Sequence, residues 1–148
     1  MRSLLDVNVL IALLDSDHVH HASAGRWLEH NLKAGWASCP ITQNGCIRIM
    51  SQPGYTNSLP AAEVAERLAE AASTDHHLFW PDNVSLLDSK LIDRARLLGP
   101  RQVTDAYLLA LAVRNKGRLV TFGRSVSLAA VTGAQAQNLH VLSTDPRV

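Results

Sequence analysis

This 148-residue chain has few cysteines, few aromatics and no long apolar run. No stretch approaches the ~20 apolar residues that a membrane-spanning helix requires. Its two cysteines, Cys39 and Cys46, sit seven residues apart. That spacing does not make a metal knuckle, and reduced core thiols of a cytosolic protein are expected instead. Aromatic residues amount to 5%, so aliphatic side chains must fill the interior. Neither sign of charge dominates, with a net charge of +1 and 18% charged residues, which excludes a disordered polyelectrolyte. No internal repeat, linker or low-complexity tract interrupts the sequence. The opening Met1-Arg2-Ser3-Leu4-Leu5-Asp6 carries a charge within its apolar run and no small-residue cleavage site follows. It does not read as a secretory signal, and a cytoplasmic location is expected.

Hydrophobic residues make up 47% of the chain. A chain of this length buries roughly 68–70% of its unfolded surface without a covalent staple. One domain spanning 1–148 is expected. Charge is unevenly distributed. Residues 1–75 hold five Lys/Arg against eight Asp/Glu, and residues 76–148 hold nine against five. The second half, at +4, suits an anionic partner, although a solvated basic face explains the same count.

Short apolar strands alternate with helices. Residues 2–6 read as a strand ending in a carboxylate, and Val7–Leu14 as a helix. Asp15-Ser16-Asp17 ends that helix and can cap the next, which runs to about Leu32. The three histidines nearby, His18, His20 and His21, are expected to belong to that helix start rather than to a metal site. Trp36–Cys39 reads as a strand closed by Pro40, and Thr42–Met50 as a helix. Pro60 opens a helix over Ala61–Ala72, His77–Trp80 reads as a strand, and Leu86–Leu98 as a further helix. Thr104 is placed to cap an apolar helix running to Val113, with Asp105 in its first turn. Strands at Arg118–Phe122 and Leu139–Leu142 follow.

This alternation predicts an α/β fold of three layers, with a mostly parallel central sheet and helices on both faces. In such sheets ligands bind beyond the carboxyl ends of the strands. Asp6 ends one strand, Asp105 heads a helix and Gly123 follows another strand, so these positions can converge. A carboxylate at a strand end is costly to bury unless something satisfies it. A hard divalent cation is one solution, because Mg²⁺ prefers oxygen ligands. Local helix capping by Asp6 and by Asp105 is the other, and spacing alone does not separate the two.

The chain resembles PIN-domain nucleases, in particular VapC-type toxins, at several segments. These are Asp6-Val7-Asn8-Val9-Leu10, the Asp17-His18 to His21 and Trp27 pattern, and Cys39-Pro40-Ile41-Thr42-Gln43-Asn44-Gly45 with Arg48. Thr104-Asp105-Ala106-Tyr107-Leu108 and Leu119-Val120-Thr121-Phe122 complete the set. Each is weak alone, but their order and spacing cover nearly the whole chain. The resemblance implies a PIN-like fold and a ribonuclease using Mg²⁺ or Mn²⁺, the toxin of a toxin–antitoxin pair that hydrolyses RNA phosphodiester bonds. It also implies a VapB-like antitoxin as partner and a homodimer.

Asp6 and Asp105 match acidic positions of the family and are the expected metal ligands and catalytic residues. Gln43 stands where the family typically has Glu, and is expected to assist through its side-chain oxygen. Gly123 stands where an Asp often follows the Thr-Phe pair. Asn8 is expected to orient Asp6 or a bound water, and Arg48 and Arg124 to hold substrate phosphates. At an effective dielectric near 20 a unit ion pair at ~4 Å is worth about 4 kcal/mol before desolvation and screening. Two missing acids therefore weaken metal binding, and one ion is more plausible than two. The same departures support a rival reading, a weakened or inactive PIN-like module that binds RNA or an antitoxin. A haloacid-dehalogenase-type phosphatase fits poorly, because it needs a second Asp where Asn8 stands. A receiver-like domain lacks its paired acids.

Overall fold

The computed structural model describes residues 1–144. Five strands form one parallel sheet in the order β3-β2-β1-β4-β5. They are β1 (Ser3–Leu5), β2 (Trp36–Ser38), β3 (His77–Phe79), β4 (Arg118–Thr121) and β5 (Leu139–Val141). Five α-helices accompany them: α1 (Val7–Leu14), α2 (His21–Asn31), α3 (Pro40–Met50), α4 (Ala61–Ala71) and α5 (Arg101–Arg114). The expectation of a mostly parallel sheet becomes an entirely parallel one.

Alternation along the strands divides the interior into two apolar layers. Leu4 and Leu119 face α5, whose Tyr107 to Ala112 are all buried. Leu5 and Val120 face the opposite side, against α1, α3 and α4. Each central strand is covered on both faces, so Leu4-Leu5 and Leu119-Val120 are apolar in succession rather than alternating. Cys39 and Cys46 are unbonded and buried, one in each layer.

Three sequence expectations need correction. Residues 86–98 do not form a helix. The Ser85 hydroxyl accepts the Leu87 N–H, Asp88 Oδ1 accepts the Lys90 N–H, and Asp93 Oδ1 accepts the Ala95 N–H. These local side-chain turns compete with helical hydrogen bonding. The segment is instead tied to residues 130–132, through Asp93 N–H to Ala130 O and Thr132 N–H to Leu91 O. Second, Asp15 and Asp17 do not cap α2, which begins at His21 with His20 as its N-cap. Asp15 instead accepts the Tyr55 hydroxyl. Third, α5 starts at Arg101, so Thr104 is helical and Asp105 is the fifth residue.

The strand order reverses between β1 and β4. β1 leads to β2 on one side, while β4 pairs on the other. That switch point leaves a crevice at the carboxyl ends of the two central strands.

Candidate active site at the carboxyl ends of β1 and β4

Asp6 follows β1 directly and is the N-cap of α1. Its Oδ1 accepts the Val7 N–H at 2.7 Å, and its Oδ2 accepts the Thr121 hydroxyl at 2.7 Å. The backbone N–H of Asp6 is held by Val120 O, which fixes the carboxylate at the sheet edge. Thr121 ends β4 and also accepts the Gly123 N–H at 3.0 Å. Its one proton is thereby directed at Asp6, so the two central strands are linked across the switch point.

Asp105 approaches from α5. It is half-buried, and no donor reaches its carboxylate among the described residues. Burial raises its pKa above its ordinary value, and the negative charge of Asp6 adds to the rise. Both effects disfavour the charged form, and both would be relieved by a cation between the two acids.

The two aspartates line one open pocket of about 850 Å³. The α3 side of that pocket holds Ile41, Asn44, Gly45 and Arg48, which recur at helical spacing, together with Ile47 and Ile49. Arg101 and Thr104 line it from the same face of α5 as Asp105. Asn8, Thr121 and Gly123 complete its polar lining. The structure thus brings Asp6, Asp105, Asn8 and Arg48 to one place.

Gln43 and Arg124 are not brought there. Gln43 is not among the residues that line the pocket, although Ile47, one turn further along α3, is. The Gln43 amide donates to Ser38 Oγ at 2.9 Å, and Ser38 Oγ also meets His77 Nε2 at 2.8 Å. Gln43 therefore ties α3 to β2 and β3. Arg124 is exposed on the loop after β4, outside the residues that line the pocket. Among the described residues, no group of three or more His, Cys, Asp or Glu gathers in a way that could hold a metal ion. Sequence reasoning missed Thr121 and Arg101 as site residues. The signal for Arg101 was available, since it lies one helical turn before Asp105.

The PIN domain family profile matches residues 3–132. The chain belongs to the PIN-domain family. It is 56% identical to ribonuclease VapC44 of Mycobacterium tuberculosis (strain H37Rv) over 142 residues, which is 96% of this chain and 100% of that protein. It is 45% identical to ribonuclease VapC39 of the same organism over 135 residues, 90% of this chain and 96% of the relative. In three dimensions it resembles VapBC2 from Rickettsia felis, solved bound to a DNA fragment from their promoter. The TM-score is 0.62 at 14% identity, with 97% of this chain and 100% of that chain covered. The sarcin–ricin-loop-cleaving toxin VapC20 of Mycobacterium tuberculosis gives a TM-score of 0.57 at 10% identity over 78% and 85% of the two chains. At those identities the two structures bear on the PIN fold alone.

Proposed function

We propose that this PIN-domain chain is a divalent-metal-dependent endoribonuclease and the toxin of a VapBC-type toxin–antitoxin pair. One observation carries the reading: Asp6 and Asp105, distant in sequence, line a single crevice at the topological switch point. The likeness to VapC ribonucleases over nearly the whole chain supports the same activity and substrate class.

The donor set fits a hard cation. Asp6 and Asp105 offer carboxylate oxygens, and Asn8 and Thr121 add neutral oxygens on the same lining. The half-buried, undonated carboxylate of Asp105 is what a cation would satisfy. Mg²⁺ or Mn²⁺ held there would supply Lewis-acid polarisation of a phosphate and a bound water of lowered pKa. The chain's own residues do the rest. Thr121 and the Val7 N–H fix the direction of the Asp6 carboxylate. Asp105 supplies the second negative charge. Arg48 offers a guanidinium to phosphate oxygens. Gln43 and Arg124 have no part in this proposal.

A VapB-like antitoxin is the partner this reading implies, as it follows from the toxin half of such a pair. Ile41, Ile47, Ile49 and Ala61 give the crevice an apolar wall against which an antitoxin segment could pack. A homodimer is part of the same proposal. The second reading is a weakened or inactive module that binds RNA or antitoxin. It is favoured by Gly123 and Gly45, which bring no side chain to the crevice, and by the two-acid limit among the described residues.

RNA cleavage with Mn²⁺ or Mg²⁺ separates these readings, with Asp6→Ala and Asp105→Ala alongside. Divalent-dependent cleavage lost in both variants is expected. Equal rates in the three proteins would remove the crevice from the mechanism. Binding of Mn²⁺ in calorimetry without any cleavage would favour the inactive module.

A further inference from the structure

We propose that Arg48 and Arg101 form a two-sided guanidinium clamp that holds the RNA backbone in the crevice before any divalent ion is bound. The inference deepens the nuclease reading and rests on it for the identity of the ligand.

The charged residues lining the crevice are Asp6 and Asp105 against Arg48 and Arg101, a formal balance of zero. A pocket that relied on metal to attract an anion would carry a negative excess when empty. This one does not, so a polyanion can approach it without a dication to neutralise the floor. Both arginines are exposed. Neither guanidinium makes a hydrogen bond or ion pair among the described residues, although two carboxylates share the pocket with them. Their donors are therefore free for a ligand.

Their origins set the geometry. Arg48 belongs to the last turn of α3, at helical spacing from Ile41, Asn44 and Gly45. Arg101 is the first residue of α5, on the face that carries Thr104 and Asp105. The two guanidiniums thus belong to different helices bordering one opening. A single phosphate would need one of them. A chain of phosphates crossing the opening would use both, and guanidinium forks match phosphate oxygens in shape as well as charge. Arg101 also adds its charge to the positive end of the α5 dipole. Each is bonded to the phosphate backbone rather than to bases, so the clamp sets affinity and register but not sequence preference.

The test is binding of a fluorescent single-stranded RNA in EDTA, followed by anisotropy across a salt series. Wild type is expected to bind, with affinity falling as salt rises. Arg101→Ala and Arg48→Ala should each weaken binding and reduce the log–log salt slope by about 0.7, the increment for one phosphate contact on a single strand. Arg101→Lys should keep the slope while losing part of the affinity. Arg94→Ala, exposed and outside the crevice, should match wild type. RNA binding that appears only with Mn²⁺, or an Arg101→Ala protein indistinguishable from wild type, overturns the clamp. The nuclease reading fails differently. Arginine-dependent RNA binding with no Asp6-dependent cleavage would leave the clamp standing and remove the enzyme.

Discussion

Thr121 Oγ1 donates to Asp6 Oδ2 at 2.7 Å across 115 residues of sequence, joining the ends of the two central strands. The same hydroxyl accepts the Gly123 N–H, so its proton has one direction to point. Thr121→Val keeps the shape and removes both bonds. Stability should fall by about 1 kcal/mol, a hydrogen bond to a charged group being worth somewhat more when fully buried. Activity should fall further than stability, because Asp6 loses the contact that fixes its rotamer. Thr121→Ser should restore kcat with little change in KM. Urea unfolding and steady-state cleavage measure the two effects. A Thr121→Val enzyme with unchanged kcat would show that the Val7 N–H alone orients Asp6.

The burial of Asp105, together with the charge of Asp6, raises its pKa above 3.8. A carboxylate whose folded pKa lies above its unfolded value favours folding when protonated. Its stabilising contribution is complete below about pH 3.8 and disappears as pH rises through the folded value. At neutral pH, without metal, ionised Asp105 thus opposes folding. Asp105→Asn should therefore raise Tm at pH 7 in EDTA, and the gain should shrink towards zero as pH falls below 4. Added Mn²⁺ should raise the Tm of wild type and not of the variant. Scanning calorimetry at the two pH values checks both signs. A lower Tm for Asp105→Asn at pH 7 in EDTA would mean that Asp105 has a favourable partner in the folded chain.

Metal affinity should respond to one acid and not to another. A Cβ built on Gly123 meets nothing nearer than Thr121 Oγ1 at 3.4 Å, so an aspartate fits there without displacing backbone. Gly123→Asp adds a third negative charge beside Asp6 and should tighten Mn²⁺ on the order of tenfold, about 1.4 kcal/mol. Gln43→Glu adds the same charge outside the residues that line the crevice, where the amide donates to Ser38. It should leave Mn²⁺ affinity unchanged and destabilise the α3–β2 contact. Calorimetric titration of both variants gives the comparison. A tightening by Gln43→Glu alone would return Gln43 to the site.

Asp6 and Asp105 were legible in the sequence because strand-end logic and the PIN resemblance pointed to the same two residues. The parallel sheet was legible because short strands alternate with helices and because Leu4-Leu5 and Leu119-Val120 are apolar in succession, as strands covered on both faces are. Other features depend on side chains that change roles with context. Leu87, Leu91 and Leu98 have helical spacing, yet Ser85, Asp88 and Asp93 bind neighbouring N–H groups and break the helix. Thr104 is a good capping residue, but α5 begins three residues earlier, where Arg101 and Gln102 hide the start behind polar side chains. Gln43 entered the site only through the PIN resemblance, and the hydrogen bond from its amide to Ser38 Oγ is a tertiary contact that sequence spacing does not reveal. Thr121 was not legible as a site residue, because its partner lies on another strand.

Gly45 offers a last test, of how tightly α3 must approach the site. A Cβ at this position would sit 2.8 Å from Val7 Cγ2 and 3.5 Å from Val7 Cγ1. Val7 is the first residue of α1 and donates its N–H to Asp6. Any shift that relieves the clash therefore moves the backbone on which Asp6 depends. Overpacking costs about 1–3 kcal/mol, while replacing a mid-helix glycine with alanine returns about 1 kcal/mol of helix propensity. The net expectation for Gly45→Ala is a loss of up to about 2 kcal/mol in urea unfolding, by the difference of those two ranges. Val7→Ala opens the space that the new methyl needs, so the double variant should be more stable than the sum of the single effects predicts. Cleavage should follow the same pattern, reduced in Gly45→Ala and partly recovered in the pair. Strict additivity of the two substitutions would mean that α1 and α3 do not press on each other at Val7. The close approach of α3 to Asp6 would then have no energetic consequence.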